Sequence, residues 1–438
     1  MTEPGNPSER DPVSRFLGLQ PGDLSIVGPA ALCAFSLFAG YSVAKPLRDA
    51  TAAALGVEAV AALQVATFVT MIGAVAIVGL LVSRLAWKHF VLLAFSIWVA
   101  AAALAAFFFG AQGAERSLLV DRVFYVGVSV ANLLSLSILW ATMSDILSAD
   151  RAKRGFPIVG LGITLGGISG SFIVKLLAVT LSYSSFMWVA TALLVISAGC
   201  AAWILRYSPE HASRVRRASG GTIAEMTEGM WRAIASPYLR RLVLYLFLYS
   251  ATGTLVYMLQ VKILSVQFAD LPKADAKIAR TNVTASIDLY ANILTAALQF
   301  LVAGRVLRWL GIAATLTITP LTTLASIGLL LFSPTVTMLI PVQVARRGLH
   351  YALDRPAREV LYTVVSPVER YKSKSFIDTF VYRFGDVVGG WTQVGLEKIS
   401  PPLGISSVLI LCTLFAGVGV SLGRTLKQRE RASETPTV

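Results

Sequence analysis

The sequence predicts an all-α membrane protein, with twelve transmembrane helices in two like-oriented six-helix pseudo-repeats. Three observations predict it. Of the 438 residues, 55% are hydrophobic and only 14% are charged, and the mean hydropathy is +0.70. Apolar runs of about 20 residues, enough to cross a bilayer, recur through almost the whole chain. The two halves also echo one another. A shift of 219 residues lays Asp150-Arg151-x-Lys153 on Glu369-Arg370-x-Lys372, Gly166 on Gly385 and Gly170 on Gly389, and a shift of 221 lays Arg84 on Arg305.

The apolar runs place spans at roughly 25–53, 58–82, 88–110, 117–143, 155–180, 183–206, 238–263, 280–303, 311–332, 335–365, 372–397 and 402–424. Around them lie a tail at 1–24, a connection at 207–237 and a tail at 425–438. The six-span bundles are therefore expected at 25–206 and 238–424. This arrangement resembles the parallel-repeat plan of the major facilitator superfamily, in which substrate sits near the midplane between the halves. Basic residues concentrate in the even-numbered connections (Arg84, Lys88, Arg151, Lys153, Arg154, Arg206, Arg214, Arg216, Arg217, Arg305, Arg308, Arg370, Lys372) and after the last span (Arg424, Lys427, Arg429, Arg431). That bias predicts that both termini are cytoplasmic, in a cell (inner) membrane. Residues 1–23 are polar and rich in proline, without the basic start of a cleavable signal. The connection at 207–237 ends in an amphipathic segment (Ile223, Met226, Met230, Trp231), which reads as an interfacial helix.

Several chemistries are excluded. Cys33, Cys200 and Cys412 are far apart within apolar spans, so they form neither a disulfide framework nor a metal site. The formal charge of +14 sits largely in loops on one side of the spans, which argues against nucleic acid as its partner. No metalloprotease or phosphate-loop motif is present. Gly167-Ile168-Ser169-Gly170 matches a serine-protease string, but Gly162, Gly166 and Gly170 recur every four residues, as a close-packing seam requires. The expectation is no enzyme, no catalytic residue, no metal and no cofactor.

What remains is charge at membrane depth. An ionised side chain at bilayer centre costs about 2.5–3.5 kcal/mol on insertion scales, so such residues must face protein or a wet cavity. The first span carries Tyr41, Lys45, Arg48 and Asp49. Tyr41, Lys45 and Arg48 lie on one helical face. Two readings are open here: a helix that continues through Pro46, or a span that ends at Lys45 with its charges at the outer interface. The tenth span repeats the wording, since Lys45-Pro46-Leu47-Arg48-Asp49 parallels Arg355-Pro356-Ala357-Arg358-Glu359. Arg347, Tyr351, Asp354, Arg358 and Tyr362 share a face of an ideal helix. Spacing pairs Asp354 with Arg358 and Arg355 with Glu359. In the eleventh span Lys374 is four from Asp378, and Arg383 three from Asp386. Lys262 is a further candidate to close the cavity. Excess arginine over acid favours an anionic ligand, because a pure packing network would balance its charge.

The stretch LDRPAREVLYTVVSPVERYKSKSFIDTFVYRFGDVVGGW (353–391) and the shorter GYSVAKPLRD (40–49) resemble the ATP/ADP translocase family of plastids and obligate intracellular bacteria. The resemblance implies a secondary active transporter that exchanges nucleotides by alternating access, with basic side chains on the phosphates. It gives phosphate-binding roles to Lys45, Arg48, Arg355 and Arg358. The charge pattern itself adds Lys262, Arg347 and Arg383 as substrate-binding candidates, and Asp49, Asp354, Glu359, Lys374, Asp378 and Asp386 as gating or ion-pair candidates. The partners expected are a small anion and the lipid bilayer, with the protein a monomer. Span four has no acidic residue between Asn132 and Thr142, where the family carries one. Two other readings stay open: a proton-coupled transporter of another organic anion, working through Asp378 or Asp386, and a non-transporting membrane scaffold or partner module.

Overall fold

A computed structural model describes residues 23–112, 117–147, 149–207, 223–301, 303–366, 369, 373–374, 376–398 and 401–434. Among them there is no strand. The helices are α1 (Leu24–Leu55), α2 (Val57–Arg84), α3 (Trp87–Ala111), α4 (Leu118–Ile146), α5 (Ala149–Leu177), α6 (Tyr183–Ile204) and α7 (Ile223–Ala235), followed by α8 (Pro237–Gln267), α9 (Lys273–Leu301), α10 (Ala303–Phe332), α11 (Val336–Leu349), α12 (Arg355–Leu361), α13 (Tyr382–Lys398) and α14 (Pro401–Glu434). Two π-helical turns, His350–Asp354 and Ile377–Val381, run into α12 and α13.

The helix ends follow local chemistry. Ser117, Ser182, Ser236 and Thr335 cap α4, α6, α8 and α11 by accepting a backbone N–H three residues on. Gly56 turns α1 into α2 at a φ of 87°, a left-handed conformation that costs glycine nothing. Gly311, at a φ of 72°, interrupts α10 at the residue where the apolar run begins. The stretch between the predicted spans at 238–263 and 280–303 is helical from Lys273, and the predicted tail at 425–438 is helical to Glu434. Residues 208–222 of the central connection lie outside the described residues. The amphipathic segment after them forms α7, which leaves Trp231 exposed.

Among the described residues nine helices are long and apolar enough to cross a membrane: α1–α6, α8, α10 and α14. This is an integral multi-pass membrane protein. The stretches α9, α11–α12 and α13 are not among the nine. Asp288, Arg346, Arg347, Asp354, Arg358, Arg383 and Asp386 all lie in them, so polar chemistry is concentrated where apolarity fails.

The chain forms two compact units, 1–48 with 77–220, and 49–76 with 221–438. In the first, α1, α3, α4, α5 and α6 bury Val27, Phe90, Phe95, Leu139, Val159 and Ile204 in one core. A Cβ at Gly162, Gly166 or Gly170 of α5 would strike the backbone carbonyl of Ala31, Phe35 or Ala39 of α1, so the glycine spacing is indeed a packing seam. The second unit repeats the device. A Cβ at Gly385 or Gly389 of α13 would strike the carbonyl of Phe247 or Ala251 of α8. Its cores gather Tyr238, Leu242, Leu361, Ile377 and Phe415, and Leu255, Ile287, Leu339 and Cys412. Residues 49–76 belong to this unit through side chains: Ala53 joins the Leu255 core, Tyr257 donates to Asp49 at 3.3 Å, and Phe68 meets Phe380 edge-on at 5.0 Å.

Candidate functional site

In the first unit α1 is helical through Pro46 to Leu55, so the span does not end at Lys45. From residue 41 to 50 only Tyr41, Lys45 and Arg48 are partly accessible and the rest are buried. The predicted face therefore exists. Arg48 Nη1 donates to Ser129 Oγ at 3.1 Å, and its guanidinium sits 5.5 Å from the centre of the Tyr125 ring, within cation–π range. Ser129 is itself held by Tyr125 O at 2.8 Å.

The second unit holds two polar clusters on α8, α9, α11 and the π-helical turn after it. The first centres on buried Asp354. His350 Nδ1 lies 3.1 Å and Arg358 Nε 3.3 Å from its Oδ2, and Tyr245 donates to its Oδ1 at 2.5 Å. Tyr249 stacks on His350 at 4.2 Å and lies under the Arg358 guanidinium at 5.5 Å. The second cluster is a relay. Arg347 pairs with Asp288 at 2.6 Å and donates to Gln260 Oε1 at 3.3 Å. Gln343 Nε2 donates to the same Gln260 oxygen at 2.7 Å, and Gln343 Oε1 accepts from Arg346 Nε and Nη2 at 3.3 and 3.2 Å. On α13, Arg383 pairs with Asp386 at 3.1 Å, and Ser250 and Thr254 donate to the other carboxylate oxygen at 2.6 and 2.9 Å.

Some spacing-based pairs form and others do not. Asp354–Arg358 and Arg383–Asp386 form. The Arg355–Glu359 pair does not: Glu359 takes Lys374 instead, at 2.5 Å near the surface, and Arg355 is exposed, with no ion-pair partner among the described residues. Lys374 reaches across from a neighbouring segment, and helical spacing carries no information about such a contact. Lys262 is exposed, and the Asp378 side chain lies outside the described residues. The predicted common face of Arg347, Tyr351, Asp354, Arg358 and Tyr362 is divided by the π-helical turn. Arg347 points to α9, Asp354 to α8, and Tyr351 is exposed. A π turn adds a residue to the helical repeat and rotates the residues beyond it. Gln260, Gln343, Tyr245, Tyr249 and His350 are site residues that a search for charge overlooks. Their signal is neutral polar and aromatic side chains beside charged ones on helices at membrane depth in the predicted spans.

No protein-family profile and no curated protein matches the chain. Solved structures do. The nucleoside transporter NupG has a TM-score of 0.57 at 15% identity, over 93% of this chain and 99% of that one. A bacterial homologue of the human lysosomal transporter Spinster has 0.54 at 16%, over 96% and 99%. The human organic anion transporter MFSD10 has 0.56 at 13%, over 93% and 100%. At such identity the likeness is one of fold, and that fold is of the major facilitator type.

Proposed function

We propose that this protein is a secondary transporter that exchanges a nucleotide or related phosphorylated anion across a cell (inner) membrane by alternating access, as a monomer with both termini cytoplasmic. One observation carries the reading: guanidinium groups drawn below the surface of the polar helices of a membrane protein. Arg346, Arg347, Arg358 and Arg383 are held there by carboxylates, amides and tyrosine rings. Arginine offers a planar fork that matches phosphate oxygens two at a time. An anion supplies the countercharge such a site needs, whereas a neutral or cationic solute does not. The fold supports transport rather than catalysis, and the structural neighbours are solute transporters. The motif resemblance at 353–391 narrows the anion to a nucleotide.

A thermal-shift panel on the purified protein tests the reading. At ligand concentrations about a hundredfold above Kd, stabilisation is about 2.7 kcal/mol, a shift of several degrees. ATP, ADP or pyrophosphate should raise the melting temperature and adenosine should not. Stabilisation by neutral solutes alone would reject the anion.

A second reading, proton coupling, has its own observation. Tyr245 Oη lies 2.8 Å from Leu316 O as well as 2.5 Å from Asp354, and Ser250 Oγ lies 2.6 Å from both Tyr382 O and Asp386. One hydroxyl proton cannot serve two acceptors, and a protonated Asp386 would complete the pair with Ser250, whereas Asp354 has Arg358 and His350 on its other oxygen, which favour the carboxylate. Under this reading an imposed pH gradient drives uptake. Uptake indifferent to the gradient removes it.

A further inference from the structure

We infer that Arg346 is the oxyanion seat of the second unit: its Nη1 end receives the terminal phosphoryl group of the solute. The inference rests on the anion-transport reading and assigns it a residue that charge spacing alone did not single out. Arg346 is 7% exposed, a guanidinium nine-tenths buried on a helix of a membrane protein. Among the described residues, Arg347, Arg358 and Arg383 each have a carboxylate within 3.3 Å, whereas the hydrogen bonds of Arg346 go to one neutral oxygen, Gln343 Oε1. A buried charge opposite an amide dipole leaves most of its desolvation cost uncompensated.

The geometry also states which edge is available. Nε and Nη2 converge on Gln343, so that edge is occupied and Nη1 is turned away from it. Facing Nη1 is Gly253 of α8, where even a Cβ would stand 3.4 Å off. Glycine at 253 thus keeps a side chain away from the one guanidinium nitrogen without a hydrogen-bond acceptor among the described residues.

Arg346 cannot turn to the nearby carboxylate, because the relay holds each member in place. Gln343 is oriented by its own bond to Gln260. The Gln260 oxygen is shared with Arg347, and Arg347 is fixed on Asp288. The one acid hydrogen-bonded in the relay, Asp288, goes to Arg347, which also feels the buried Asp49, and Arg346 is left with a neutral hydrogen-bond partner. A rigidly aimed, uncompensated guanidinium is the arrangement that recognises an oxyanion, since the reorganisation is complete before the ligand arrives.

The test is equilibrium binding of ATP, ADP, inorganic pyrophosphate and adenosine to the purified full-length protein, wild type against R346Q and R346K. Melting curves without ligand check folding. R346Q is expected to lose about tenfold or more in affinity for each phosphorylated probe, and R346K, which keeps charge but not the fork, to lose several-fold. Adenosine binding should not respond to either substitution. R346Q binding the phosphorylated probes as tightly as wild type overturns the seat and leaves anion transport standing. Wild type binding none of them overturns the transport reading and the seat together. Should R346Q fail to fold, R346K decides: undiminished binding overturns the assignment.

Discussion

Asp288 and Arg347 form the most completely enclosed ion pair on α9 and α11, with side chains 6% and 13% exposed. Removing the acid alone leaves a guanidinium in a low-dielectric interior, a loss of about 3–5 kcal/mol. Asp288→Asn should therefore lower the melting temperature by several degrees, and Asp288→Asn with Arg347→Gln should recover much of it. An unchanged melt for the single variant would show that the pair is not enclosed. Arg358 differs, because Asp354 keeps Tyr245 and His350 when it is removed. Arg358→Gln should abolish transport while the protein stays folded, and full activity would remove Arg358 from the site. The sequence announces these residues through four-residue spacing, which correctly joined Asp354 to Arg358. It could not announce Gln260 and Gln343, whose role depends on which neutral groups meet across three helices. Nor could it show that Lys374 would take Glu359 from Arg355.

The elements are held in register by glycine. Gly166 and Gly170 admit the backbone of α1, and Gly385 and Gly389 admit that of α8, so the same contact recurs in both units. Backbone carbonyls cannot swing aside as a side chain can. Gly166→Ala and Gly385→Ala should each destabilise by about 1–3 kcal/mol, the usual cost of overpacking, measured by thermal unfolding in detergent. Gly127→Ala, with open space at its Cβ position, serves as the control and should melt like wild type. Indifference at Gly166 would mean that α1 and α5 are not in backbone contact. This level was the most legible in the sequence, because a four-residue glycine repeat and its echo 219 positions later depend only on helical period. The π-helical turns were not legible. Nothing in a 3.6-residue pattern marks an inserted residue, and His350–Asp354 redirects everything after it.

At the scale of the molecule, length and hydropathy were enough to read an all-helical membrane protein. They were not enough to show that residues 49–76 would join the compact unit of 221–438, a grouping made by side chains such as Asp49, Phe68 and Ala53. Under the proposed anion-transport reading, a carrier whose loaded site is neutralised by an anion reorients readily, while the empty site keeps positive charge and does not, and exchange follows from electrostatics. Counter-flow in proteoliposomes tests this most directly. Labelled ADP should enter vesicles preloaded with ATP or ADP and should not enter empty ones. Equal uptake into loaded and empty vesicles would contradict exchange, and no uptake into either would contradict the nucleotide.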